Sequence, residues 1–311
     1  MALGEDSWRT KPLYDVAQVT VFKKIKDSDR PFRFAELDLD GTPLRYCVSA
    51  PSTEWRVQTL FTKEPGTIDW LNSFAPGSVL VDVGANVGMY SIYAAAISGT
   101  KVYAFEPEAQ NYAELCRSIY LNYKYRDNIH AFCAAIGDKP IEVSQLLVRE
   151  LAIGYSGHDF AEPSRDYPAA SRFAQGAVGF SLDYLVESGA IPPPDHVKID
   201  VDGHEHKVIR GMLGLIERGK LRTLLLEADP GLPHTQEIVE RMLRGGWQVN
   251  PDQLRLSRDG LRPAGAVMDE LREGRYLGNI IFARRAEDLE FATGALERFS
   301  PDELAHMSLP K

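Results

Sequence analysis

An α/β fold, with a mainly parallel sheet covered by helices on both faces and a small β-rich extension ahead of it, is predicted by three features of this 311-residue sequence. From Pro76-Gly77 onward, short apolar runs alternate with stretches of helical spacing. The runs SVLVDVG, KVYAFEP, NIHAFCAAIG, HVKIDVDG and LRTLLLEAD are nearly continuous in apolar residues, as strands buried on both faces require. A glycine-bearing turn joins the first run to its helix, a Rossmann-like arrangement in which ligands bind outside the carboxyl ends of the strands.

Taken in order, residues 1–75 form an extension of mixed β and α character. FRFAELDLDG alternates apolar and polar residues up to the turn signal Asp40-Gly41, and LRYCVSA follows, so the two predict a β-hairpin. TIDWLNSF carries Ile68, Leu71 and Phe74 at helical spacing. The sheet domain covers 76–285. Its helices are MYSIYAAAI, EAQNYAELCRSIYLN, SLDYLVESG, GHEHKVIRGMLGLIERG and HTQEIVERMLRGG, and WQVN and LGNIIFARR are its closing strands. Residues 143–178 are polar, glycine-containing and irregular, an insertion in the regular alternation. Residues 286–311 are expected as a helical tail.

Composition excludes several classes. Against 35 Lys and Arg stand 44 Asp and Glu, a formal charge of −9. Nucleic-acid binders draw their affinity from cations on phosphates, so nucleic acid is not the expected partner. The nearest thing to a basic patch, Arg30 to Phe34, is expected as a solvated turn with aromatic anchors. No apolar run is long enough to span a membrane, and MALGEDSWRTKPLYDV lacks a signal pattern; a cytoplasmic chain is expected. Cys47, Cys116 and Cys133 lie at no metal or redox spacing and are expected as buried free thiols.

Three strand ends form a candidate nucleotide site. Asp82, Gly84, Asn86 and Gly88 lie at the first strand-to-helix turn. The glycines let backbone approach a ligand, the helix start offers free N–H groups, and Asp82 can meet an ammonium group. A dinucleotide fingerprint would need glycine at 86, where this chain has asparagine; a ligand with an amino-acid tail suits the loop better. Glu106 ends the second strand about twenty residues on, where an acid accepts ribose hydroxyls. At the third strand end, Ala135 and Ile136 can pack on adenine, and Asp138 can accept from its exocyclic amine.

The segments VDVGANVGMYSIYAA, VYAFEPEAQNYAEL, LDYL and VKIDVDGHEHKVIRGM, in this order, resemble the FkbM family of S-adenosylmethionine-dependent methyltransferases, and GNIIFARR resembles that family's closing strand. The resemblance covers about residues 60 to 285. It implies a seven-stranded methyltransferase sheet with its last strand antiparallel. It also implies methyl transfer, usually to a hydroxyl on a sugar, polyketide or other natural product, so a small hydroxylated acceptor is the expected partner. The extension and the insertion lie outside it and would choose the acceptor.

Asp200, Asp202 and Glu227, with Asp229 as a fourth carboxylate, converge at the fourth and fifth strand ends, beside His204. Two readings stay open. Either the first three carboxylates hold Mg²⁺ on the acceptor oxygen, or Asp200 and Asp202 orient the acceptor while His204 takes its proton. In a non-catalytic role, Asp202 would cap the next helix, with His204 and Glu205 solvating it. His206 is expected at the surface, and Lys198 at the sheet edge, paired with an acid. Trp55, Glu64 and Trp70 either close over the ligand or pack, and His158 is a lone loop histidine. The alternatives to a methyltransferase are a nicotinamide-dependent oxidoreductase and a non-catalytic S-adenosylmethionine-binding protein.

Overall fold

The computed structural model describes residues 21–24, 33–39, 41–163, 173–218, 220–232, 234–257, 260–261 and 263–293. The chain opens with β1 (Val21–Lys24), β2 (Arg33–Leu39) and β3 (Thr42–Cys47), an antiparallel sheet. The expected hairpin is β2–β3, in register from Phe34↔Cys47 to Leu39↔Thr42. Asp38 accepts from the Gly41 amide at 2.7 Å, which closes the turn. Of the Arg30–Phe34 stretch, residues 30–32 lie outside the described residues; Arg33 pairs with Glu54 at 2.9 Å, and Phe34 is buried.

Two helices follow, α1 (Pro51–Gln58) and α2 (Pro65–Asn72). Each begins on a proline, whose missing N–H costs nothing in the first turn. The alternation then begins: β4 (Val79–Val83), α3 (Met89–Ile97), β5 (Lys101–Phe105), α4 (Ala109–Leu121), β6 (Ile129–Phe132) and β7 (Ala135–Ile136). The run NIHAFCAAIG, read above as one strand, is these last two, broken at the exposed Cys133. That exposure corrects the expectation of buried thiols; Cys47 alone of the three is fully buried.

The insertion is more regular than its composition suggests. β8 (Ile141–Val148), β9 (Asp159–Phe160) and β10 (Phe173–Phe180) pair antiparallel, and β7 joins their edge in parallel. The chain continues through α5 (Leu182–Glu187), β11 (His196–Ile199), α6 (Glu205–Arg210), α7 (Leu213–Glu217), β12 (Thr223–Ala228), α8 (Thr235–Arg244), α9 (Pro251–Leu254), β13 (Leu256–Ser257), β14 (Gly260–Leu261), α10 (Ala264–Arg272) and β15 (Gly278–Ala283). One helix was expected where α6 and α7 stand. Asp183 accepts from the amides of Gly214 and Leu215 at 2.8 and 2.9 Å, which starts a separate helix there. Residues 286–293 form a 3₁₀ helix; the rest of the expected tail lies outside the described residues.

The main sheet has the order β15-β12-β11-β4-β5-β6, with only β15 antiparallel. At the seventh position the expected WQVN strand is a single antiparallel bridge, Gln248 to Ala283. Alternate residues along each strand feed opposite layers. Leu80, Leu225 and Ile281 pack with the N-terminal sheet, α2 and α3, while Val81, Val83, Leu224 and Leu226 pack with α5 to α10. The extension thus shares one apolar core with the sheet domain. Trp70 belongs to that core: it donates to Thr223 Oγ1 at 2.8 Å at the amino end of β12, far from the carboxyl strand ends.

Strand order reverses between β4 and β11, and that switch point fixes where a ligand can sit. Gly84 there has φ +79°, and a Cβ on it would lie 1.9 Å from the Asp200 carbonyl oxygen. At Gly88, φ +86°, a Cβ would meet Leu115 at 2.3 Å. The glycines therefore serve close packing of the chain on itself, beyond the ligand approach expected of them. Gly84→Ala should lower stability by about 2–4 kcal/mol. Urea unfolding measures this, and a wild-type midpoint would contradict the packing.

Candidate active site

A cleft opens at the carboxyl ends of β4, β5, β11 and β12 and holds about 910 Å³ of empty space counted out to its mouth. One wall is the β4–α3 turn. Asn86 there has φ +50°, a left-handed conformation that asparagine tolerates, and its Oδ1 accepts from the Val87 amide. Its own amide donates to Glu106 Oε2 at 2.8 Å, and the Glu108 amide donates to Oε1 at 2.8 Å. Glu106 is buried, and burial pushes its carboxyl up to about 7 despite those two bonds. Each oxygen retains a lone pair for a ligand hydroxyl. Beyond it, Phe105, Ala134, Ala135, Ile136, Leu146 and Phe160 make an apolar wall.

The other end of the cleft is charged. Lys198, on β11, is 2% exposed, and its Nζ lies 2.8 Å from Asp200 Oδ2 and 3.9 Å from Asp82 Oδ1. Burial alone would lower this ammonium; Asp200, Asp82 and Glu64 hold it above its ordinary range. Burial would raise Asp200, but Lys198 and Lys63 hold it well below the usual carboxylate range. Glu227 moves the other way. The Asp200 charge and then burial push it well above its ordinary value, and it hydrogen-bonds Asp200. Glu227 thus keeps its proton and donates it to Asp200. Asp202 is raised by burial and by Asp200.

Asp200, Asp202 and Glu227 bring one ligand atom each to within 4.8 Å of one another. Carboxylate oxygens of this kind suit a hard divalent cation. Part of that charge is already offset from within, however, by Lys198 on Asp200 and by the proton on Glu227.

The third wall comes from the insertion, in the segment between β8 and β9. Tyr155 O accepts from Asn86 Nδ2 at 2.9 Å and Asn111 Nδ2 at 3.0 Å, and Arg56 donates to Gly154 O through Nε and Nη2. The Gly157 amide donates to Asp202 Oδ2 at 2.8 Å. His204 is buried, with Nε2 3.1 Å from Asp159 Oδ1 and Nδ1 unpartnered among the described residues. His158 lines the same cleft; its Nε2 is also unpartnered, and burial lowers its pKa, so it stays neutral.

Of the residues expected from sequence, Gly84, Asn86, Glu106, Ala135, Ile136, Asp200, Asp202, His204 and Glu227 line the cleft together. Asp82 lies behind it, accepting from Ser91 Oγ at 2.6 Å with Lys198 on its other side. Gly88 faces Leu115, and Asp138 points to Arg210 at 3.8 Å. The cap of α6 is His204 rather than Asp202. Glu205 is buried and accepts from the Val201 and Gly203 amides, closing the turn before that helix. His206 is half-buried against His234, with ring centroids 4.2 Å apart. Glu64 is held by Asn279 at 2.9 Å and by Lys63, and Trp55 is half-buried. Arg56, Lys63, Asn111, Tyr155 and Asp159 escaped sequence reasoning, because they lie in segments without a strand-end motif.

Residues 82–249 match the Methyltransferase FkbM domain. The chain belongs to the FkbM methyltransferase domain family. It is similar to the hexuronic acid methyltransferase AglP of Haloferax volcanii, 26% identical over 190 residues that cover 58% of this chain and 69% of that one. Among solved structures, methyltransferase FkbM from Methylobacillus flagellatus has a TM-score of 0.45 at 13% identity, covering 76% of this chain and 56% of its own. TrmK of M. capricolum, in complex with S-adenosyl-homocysteine, has a TM-score of 0.38 at 9% identity, covering 70% of this chain and 67% of its own. Among the described residues no helix is long and apolar enough to cross a membrane.

In this FkbM-family site, removing the Lys198 cation takes the buried positive partner from Asp82 and leaves Asp200 with Lys63 alone. Lys198→Met should cost about 3–5 kcal/mol, as for a broken buried pair. Denaturant midpoints measure it; a loss confined to the size of a surface substitution would contradict the arrangement.

Proposed function

We propose that this chain transfers a methyl group from S-adenosylmethionine to a hydroxyl oxygen of a sugar or another hydroxylated natural product. One observation carries the reading: a single cleft has buried Glu106 at one end, opposite-charged Asp200 and Lys63 at the other, and His204 on its wall. Family membership and the name of the Haloferax relative support it.

The residues fit such a donor. Glu106 has oxygens left for two ribose hydroxyls, and the wall of Ala135, Ile136 and Phe160 matches an adenine face. Asp200 and Lys63 match an ammonium and a carboxylate. When bound, the donor supplies a methyl already activated by its sulfonium. The chain then has only to align two reactants and to remove one proton. His204, through Nδ1, takes the hydroxyl proton. A buried imidazole nitrogen without a partner costs about 1–3 kcal/mol, and a base awaiting its substrate explains that cost. We assign the described part of the 143–178 insertion to the acceptor side, with Asp202 orienting the acceptor.

No step runs through a metal, because Lys198 already supplies the cation that Asp200 needs. A second candidate base is His158, whose Nε2 is also unpartnered and which stays neutral.

His204→Ala should lower kcat by about 10²–10⁴-fold, with affinity for S-adenosylhomocysteine unchanged; steady-state kinetics on a panel of hydroxylated sugars measures this. Full turnover in that variant, with loss in His158→Ala, would move the base to His158. Chelation with EDTA should leave the rate unchanged. Glu106 gives a pH signature. Its carboxyl ionises near 7, and the charged form accepts hydroxyl hydrogen bonds more strongly. Affinity for S-adenosylhomocysteine should therefore rise as pH passes upward through 7. Calorimetry should find that slope absent in Glu106→Gln.

A further inference from the structure

We propose that Asp159, carried by β9 of the insertion, is a positioning residue that fixes the His204 imidazole with its proton on Nε2 and the Nδ1 lone pair free for the acceptor hydroxyl. The inference rests on the reading of His204 as base and adds what holds it ready.

Asp159 is 45 residues from His204 in sequence, yet its Oδ1 lies 3.1 Å from His204 Nε2, and both side chains are buried. Its other oxygen, Oδ2, accepts from Arg149 Nη2 at 2.8 Å. Pairing with a guanidinium favours the carboxylate form over the acid. An ionised carboxylate can only accept hydrogen bonds. An imidazole that acts as a base here carries its proton on Nε2, which leaves Nδ1, buried and without a partner among the described residues, as the acceptor.

The arrangement is supported from both chains of the contact. Two residues before Asp159, the Gly157 amide bonds Asp202; two residues after Asp202 stands His204. The β9 segment and the turn after β11 are thus laced together twice at matching spacing. On the far side, His204 Cα is fixed as the cap of α6. A base oriented by a third, buried acid is the arrangement that general-base catalysis requires. Asp159 itself does not line the cleft; it acts through His204.

Asp159→Asn is the test, because an amide can donate as well as accept and no longer dictates the tautomer. Three readouts are needed: steady-state kinetics, calorimetry with S-adenosylhomocysteine, and ¹⁵N NMR of the His204 ring at slightly alkaline pH. In the wild type, the expected proton sits on Nε2. In Asp159→Asn, the ring should shift toward Nδ1–H, and kcat should fall by about 10²–10⁴-fold, as when the orienting acid of a triad becomes an amide. KM and S-adenosylhomocysteine affinity should stay unchanged. Asp159→Glu should recover part of kcat and the Nε2–H form. An unchanged kcat in Asp159→Asn, in an enzyme that His204→Ala inactivates, would overturn the proposal. So would a loss confined to KM, or a wild-type ring protonated on Nδ1. If His204→Ala keeps full turnover, the base assignment fails instead, and the NMR result still judges whether Asp159 sets the tautomer.

Discussion

A buried ammonium group organises this molecule. Lys198 sits on the central strand β11 with almost no contact with water, between Asp82 on β4 and Asp200 at its own strand end. Uncompensated, any of the three would cost several kcal/mol to bury. Together they let ionised groups reach the floor of a cleft at the switch point of the sheet. The consequences spread outward. Asp200 stays ionised, Glu227 beside it keeps a proton, and Lys63 and Glu64 extend the alternation of charge into the extension. A metal ion would have to compete with a cation already built into the strand.

The fold could be read from sequence where the pattern was set by burial on both faces. SVLVDVG, KVYAFEP and HVKIDVDG became β4, β5 and β11 because a central parallel strand has no polar face to disguise it. The β2–β3 hairpin could be read from its alternation and from Asp40-Gly41. β8 and β10 could not. One face of each is solvated, with exposed Ile141, Val143 and Phe173, so neither continuous apolarity nor clean alternation marks them. The four-residue α9 was hidden for a related reason, since a single turn carries no periodicity.

Legibility at the site followed the same division. Glu106, Asn86, Asp200 and His204 stand at strand ends, where position alone suggests a role. Asp82 stands there too, yet the structure turns it inward to Ser91 and Lys198. Sequence spacing gives the strand and the residue but not which way a buried acid is satisfied. Arg56, Asn111 and Tyr155 were out of reach, because their contacts join segments tens of residues apart. The insertion is the clearest case. Its composition suggested an irregular loop, yet its backbone oxygens complete the cleft wall, and Asp159 holds His204 from behind it.

The account therefore depends on one donor chemistry fitting one cleft. On the proposed reading Glu106 would meet the ribose of the donor, and the opposite end presents fixed charges of both signs, which match an amino-acid tail rather than a second nucleotide. Isothermal titration of the purified chain with S-adenosylhomocysteine and, separately, with NAD tests this most directly. The account predicts saturable one-to-one binding of S-adenosylhomocysteine and no binding of NAD. Binding of NAD without S-adenosylhomocysteine would contradict it.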